Sequence, residues 1–99
     1  MQKISVREIR NMLKYVVEFL GTFLFLSAFV STAGQPMLVA LTLFLVMLLG
    51  AGISGTHLNP AISLMYWLKG GLTNADFGAY VAAQLLGSVG ALTVYNILC

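Results

Sequence analysis

The sequence predicts an all-α membrane protein with three transmembrane helices and one re-entrant half-helix. Of its 99 residues 60% are hydrophobic and 8% charged, against about a quarter charged in soluble domains. No Lys, Arg, Asp or Glu occurs between Glu18 and Lys69. Inside that uncharged run sits a proline-led apolar segment too short to cross a bilayer. This composition excludes a secreted disulfide scaffold, a disordered tail and a nucleic-acid binder. The formal net charge of +2 does not create a basic face, because Lys3, Arg7, Arg10 and Lys14 crowd into residues 1–14 and only Lys69 lies elsewhere. The single cysteine, Cys99, permits no intrachain disulfide and no cysteine metal site. Its ordinary reading is a small apolar helix-end residue, with an intermolecular disulfide as the alternative.

A bilayer core needs about twenty mostly apolar residues per helix. Residues 15–34 form the first such span, broken only by Glu18 and stopped by Gly34-Gln35-Pro36, since proline lacks the backbone donor and disfavours helix in the residue before it. Residues 37–53 form the second, with Leu, Val, Phe and Met on every face and no water-facing side. Residues 77–99 form the third, behind a cap at Thr73-Asn74-Ala75-Asp76. Along it Ala79, Ala83, Gly87 and Ala91 recur every four residues, a ridge of small side chains that lets another helix backbone approach closely.

Residues 54–69 are the re-entrant piece. Asn59-Pro60 is a good helix start and Gly70-Gly71 a good stop, and the apolar turns between them are too few to span. The lead-in at residues 54–58 puts bare carbonyls at membrane depth, which is tolerated only where backbone is buried in protein or lines a water-filled cavity. A cavity is implied. The basic amino-terminal segment and Lys69 fall on one side of the membrane, so the amino terminus is expected to be cytoplasmic. A cleaved signal peptide ending near Ser31-Thr32-Ala33 is the rival account of the first span, and Glu18 inside the apolar region argues against it.

Gly50, Gly52 and Gly55 match a G-x-G-x-x-G phosphate fingerprint, with Asp76 downstream. The context fails, because the preceding apolar run is too long for a strand and Pro60 breaks the helix that should follow. Close helix packing and a hinge explain these glycines better.

The segment Ser54-Gly55-Thr56-His57-Leu58-Asn59-Pro60-Ala61 resembles the first S-G-x-H-x-N-P-A loop of the aquaporins and glycerol facilitators, the major intrinsic protein family. Glu18-Phe19-Leu20-Gly21-Thr22-Phe23 is similar to the family's first-helix signature, and Tyr80-Val81-Ala82-Ala83-Gln84-Leu85-Leu86-Gly87 to its third-helix pattern. Three motifs in the family's order cover nearly the whole chain. The fold that this implies is a single repeat of the aquaporin-like inverted-repeat architecture.

Asn59 starts a half-helix whose unpaired donors and positive dipole end face the cavity. As an N-cap its side-chain oxygen holds the helix; as a pore residue its amide NH2 donates to a passing water or hydroxyl, and the resemblance implies both roles. A positive helix end at a narrow water column repels cations and interrupts a proton relay. By the same resemblance, the carbonyls of Gly55, Thr56 and His57 lead towards Asn59 as a rail of acceptors. Val39, twenty positions before Asn59, takes the family's outer-constriction position, implying a wider, more apolar wall suited to glycerol, urea or gases as well as water.

Glu18 is costly in lipid, so it is expected to face the bundle interior and brace the irregular lead-in, alongside Pro60 and Ala61 at the head of the half-helix. His57 reads as a satisfied buried imidazole in preference to a pH gate, and Gln84 as an interhelical hydrogen-bonding group near the loop. One histidine without a nucleophile–base set supports no enzyme chemistry, and no metal or other cofactor is expected.

Family members carry two inverted repeats, and this sequence holds one, with no second N-P-A and no filter arginine. The first hypothesis is therefore a half-channel for water or small neutral solutes, whose pore needs a complementary second repeat. The alternative is a non-conducting membrane subunit that packs through its small-residue ridge against full-length relatives. Either way the partners are the lipid bilayer and further helices of the same kind, an oligomer is expected, and nucleic acid is not. All five basic residues favour one side, which counts against antiparallel self-pairing.

Overall fold

The computed structural model describes residues 3–99. It holds four helices, α1 (Val6–Ser31), α2 (Pro36–Ser54), α3 (Pro60–Leu68) and α4 (Asn74–Leu98), and no strand among the described residues. Helices α1, α2 and α4 are each long and apolar enough to cross a membrane.

Each helix begins on a side-chain cap. Ser5 Oγ accepts from Glu8 N at 3.1 Å, so α1 starts well before position 15 and takes most of the basic segment with it. Hydropathy marks the part of a helix that sits in lipid, whereas capping marks where the helix begins. At its far end Ala33 (φ 54°) and Gly34 (φ 76°) turn left-handed, and the helix stops at Ser31. Gln35 Oε1 caps α2 through Leu38 N at 2.7 Å, with Pro36 in the first turn. Asn59 Oδ1 caps α3 through Ala61 N at 2.9 Å, with Pro60 in the same role. Thr73 Oγ1 caps α4 through Asp76 N at 3.0 Å.

At about 1.5 Å per residue, the 9-residue α3 reaches less than half of a hydrocarbon core about 30 Å thick. It is a half-helix. Gly50 and Gly52 lie inside α2 and Gly55 ends it with φ 81°, so no strand precedes these glycines and no phosphate loop forms.

Helix α1 packs against both α2 and α4, and α3 lies on α4. The interior is polar: the largest fully buried side chains are Gln84, Glu18, Thr22, Thr56 and Ser63. Large apolar side chains such as Leu48, Leu49 and Ile97 point outward, the arrangement suited to a lipid surround. Lys14 Nζ (3.0 Å) and Tyr15 OH (2.6 Å) both reach Asp76, tying the start of α4 to α1.

The small-residue ridge is used within the chain. Ala83, Gly87 and Ala91 are buried and Ala79 is half-buried. A Cβ added at Gly87 would fall 2.7 Å from Phe19 O and 3.1 Å from Phe23 N, both backbone atoms of α1. The backbone that the ridge admits at Gly87 is therefore that of α1 in the same chain.

Gly87→Ala is expected to force α1 and α4 apart and to destabilise the fold by about 1–3 kcal/mol, the usual cost of overpacking. Gly78→Ala, which meets nothing within 4 Å, should be neutral or slightly stabilising. Thermal unfolding in detergent compares the two, and equal midpoints would refute the close approach.

Candidate functional site

Residues 55–59 connect α2 to α3 through an irregular backbone held almost wholly by one side chain. Glu18, 0% exposed, accepts four hydrogen bonds. Its Oε2 receives Ser54 Oγ at 2.7 Å and His57 N at 3.0 Å; its Oε1 receives Leu58 N at 2.8 Å and Gln84 Nε2 at 2.9 Å. Ser54 Oγ also accepts from Thr56 N at 3.0 Å, and Ser54 O accepts from Tyr80 OH at 2.7 Å. The N–H groups of Thr56, His57 and Leu58 are thus all drawn to the Glu18 side.

That conformation is strained. Thr56 (φ 43°) and Leu58 (φ 56°) are left-handed without being glycine, which costs on the order of 1–3 kcal/mol apiece. Two glycines make room for their side chains. A Cβ at Gly50 would meet Thr56 Cγ2 at 2.6 Å, and one at Gly21 would meet Leu58 Cδ2 at 2.6 Å. Both side chains are buried as a result. With the N–H groups turned inward, the carbonyl oxygens of Gly55, Thr56 and His57 receive no donor among the described residues.

His57 is fixed by a relay of hydroxyl and amide groups. Gln84 Nε2 donates to Ser63 Oγ at 2.9 Å, and Ser63 Oγ shares a hydrogen bond with His57 Nδ1, 2.9 Å away. The imidazole stacks on Tyr66 with centroids 4.7 Å apart and meets the Tyr80 ring edge-on at 5.1 Å.

Asn59 is exposed at the head of α3, and its Oδ1 is occupied by the cap to Ala61 N. Its amide NH2 has no partner among the described residues. Pro60 and Ala61 form the first turn behind it. Val39 stands apart, in the first turn of α2 at the end opposite the loop, about 22 Å along the axis from Ser54 at 1.5 Å per residue. The structure thus brings together Glu18, Gln84, Gly55, Thr56, His57, Asn59, Pro60 and Ala61 and leaves Val39 at another level. Among the described residues no three His, Cys, Asp or Glu side chains gather where a metal could sit.

Sequence reasoning missed Ser54, Ser63 and Tyr80 as ligands of the loop and Gly21 and Gly50 as its sockets. Ser63 carried a usable signal, a small polar residue within an otherwise apolar half-helix. Of the sockets, Gly50 reads from the sequence as a close-packing glycine, but no local pattern names Thr56 as its partner or marks Gly21.

The sequence profile of the family described as Major intrinsic protein matches residues 5–99. The chain belongs to the major intrinsic protein family. It is 36% identical over 97 residues to an aquaglyceroporin of Toxoplasma gondii, covering 89% of this chain and 37% of that protein. It is 34% identical over 88 residues to a glycerol uptake facilitator protein-like 6 of Lactiplantibacillus plantarum, covering 79% and 40%. Against aquaporin-9 of Rattus norvegicus it is 32% identical over 112 residues, covering 98% and 38%. The chain spans less than half the length of these curated relatives. No solved structure matches it significantly. Membership makes the all-helical architecture that of one repeat of this membrane-channel family.

Glu18→Gln replaces one acceptor oxygen with a donor that faces N–H groups, leaving buried groups unpaired at about 1–3 kcal/mol each. Hydrogen exchange at the His57 and Leu58 amides should accelerate by roughly tenfold or more, since about 1.4 kcal/mol is a factor of ten. Unchanged exchange at both would show that the carboxylate does not hold the loop.

Proposed function

We propose that the chain forms one wall of a channel for passive passage of water and small neutral solutes, completed by a second repeat that approaches from the opposite face. The observation that carries this reading is the pairing of a free donor with a row of free acceptors at the head of the half-helix. Asn59 keeps its amide NH2 unengaged while its oxygen caps α3. Immediately before it, three carbonyls are unengaged because Glu18 and Ser54 have drawn the neighbouring N–H groups to the other side.

Such a set suits a molecule that both donates and accepts hydrogen bonds. Water, glycerol and urea meet that description. A solute moving along the carbonyls gives its protons to them, then presents an oxygen to Asn59. The first-turn N–H groups of α3 are all taken up by Asn59, and the positive dipole end of the helix disfavours cations at the same point. Oriented by donors at Asn59, a water there cannot also accept from its neighbour, which breaks a proton wire. Relatives named as aquaglyceroporins and glycerol uptake facilitators favour glycerol among the solutes. Val39 at the far end of α2 would widen the outer mouth on this wall. The amino terminus and Lys69 are placed on the cytoplasmic side by their charge.

The test reconstitutes this chain with the carboxyl-terminal repeat of a relative in vesicles and follows shrinkage under osmotic shock. Permeability is expected to exceed that of vesicles holding either half alone. No rise, with both halves shown to be inserted and associated, would sink the reading. Asn59→Asp keeps an oxygen for the Ala61 cap but removes the donor. It should fold and yet lower water permeability about five- to tenfold, the equivalent of one hydrogen bond. Wild-type permeability in that variant would limit Asn59 to capping.

A further inference from the structure

A groove of about 660 Å³ lies between the amino-terminal turns of α1 and the last turn of α2. Arg7, Arg10, Asn11 and Lys14 line it from α1, and Gly52 and Ile53 from α2. Spacings of three and four residues put Arg7, Arg10 and Lys14 on one face of the helix. Lys14 is engaged by Asp76 at 3.0 Å. Arg7 and Arg10 have no carboxylate partner among the described residues. Of the three acidic side chains, Glu18 is enclosed by the loop, Asp76 is held by Lys14 and Tyr15, and Glu8 is off this face. Asn11, half-buried in the same wall, makes no side-chain hydrogen bond among the described residues.

The depth of the groove identifies its surroundings. Helix α1 has 26 residues, about 39 Å at 1.5 Å per residue, and overshoots a hydrocarbon core about 30 Å thick. Its first turns therefore stand at the level of the lipid headgroups. Val6 and Leu13 also border the groove and, like Ile53, are exposed. Two unpaired guanidinium groups and an amide thus sit above an apolar rim that opens to the acyl layer.

We propose that this groove binds the phosphate of an anionic phospholipid from the adjoining leaflet, with Arg7 and Arg10 gripping the phosphate and Leu13 and Ile53 contacting the first part of the acyl chains. Paired guanidinium donors match phosphate oxygens in geometry as well as charge. Asn11 supplies a further donor for the headgroup. The site is independent of the pore, since none of its residues touches Glu18 or Asn59 through a hydrogen bond.

The test is native mass spectrometry of the chain released from nanodiscs of mixed phosphatidylcholine and phosphatidylglycerol. Wild-type protein should carry off phosphatidylglycerol in preference to phosphatidylcholine. Arg7→Gln with Arg10→Gln should lower that retention by roughly tenfold or more. Arg7→Lys with Arg10→Lys, which conserves charge and serves where the neutral variant does not fold, should lower it several-fold because an ammonium cannot grip two oxygens at once. Lys3→Gln, outside the groove, should stay within about twofold of wild type. Full retention by the double lysine variant, or an equal loss with Lys3→Gln, would overturn the site in favour of diffuse attraction. In phosphatidylcholine nanodiscs supplied with inorganic phosphate no adduct is expected; a phosphate adduct there would overturn the lipid assignment and give the groove to a soluble anion.

Discussion

Glu18 is the interaction on which the rest of the structure depends. Four donors from three segments converge on its two oxygens, and no lysine or arginine joins them. A carboxyl group at membrane depth is costly unless its hydrogen-bonding capacity is filled. Here N–H and O–H dipoles fill it, and those same dipoles belong to the backbone that must be bent. The hydrogen bonds between the carboxyl group and these dipoles offset both the cost of burying the group and the cost of the left-handed Thr56 and Leu58 within one cluster. Releasing either would expose both.

This explains why the interior is polar and the exterior apolar. In lipid, apolar burial does not drive helices together, so close packing and hydrogen bonds must do so. Gly87 lets α4 touch the backbone of α1, and that contact brings Gln84, one turn earlier, within 2.9 Å of both Glu18 and Ser63. Packing thereby sets the geometry of the loop: the ridge aligns the helices, the amide links them, and the half-helix takes its place against α4.

Much of this was legible in the chain because each signal was local. Asn59-Pro60 announced a helix start, Gly34-Gln35-Pro36 a stop, and the long uncharged run a bilayer. Glu18 stood out as a charge where none is tolerated unpaired. Less was legible where contacts join distant positions. Gly50 reads as a packing glycine and Gly21 as an ordinary helix glycine, but neither shows its partner until Thr56 and Leu58 are seen filling the space that a Cβ would occupy. The early start of α1 was hidden because basic residues lower hydropathy without weakening a helix capped at Ser5. The ridge was recognised from its spacing, but spacing does not say whose helix fills it, and here α1 does.

The distances in sequence between Glu18 and its partners bear on how the protein is made. Its first ligands lie 36 to 40 residues downstream and Gln84 lies 66 residues downstream. A ribosome delivers α1 long before any of them has emerged. Until then the carboxyl group has nothing to hold, so α1 is a poor candidate for release into lipid alone. Stable burial of Glu18 at membrane depth needs α2, the loop and α4 beside α1, because these segments carry its donors.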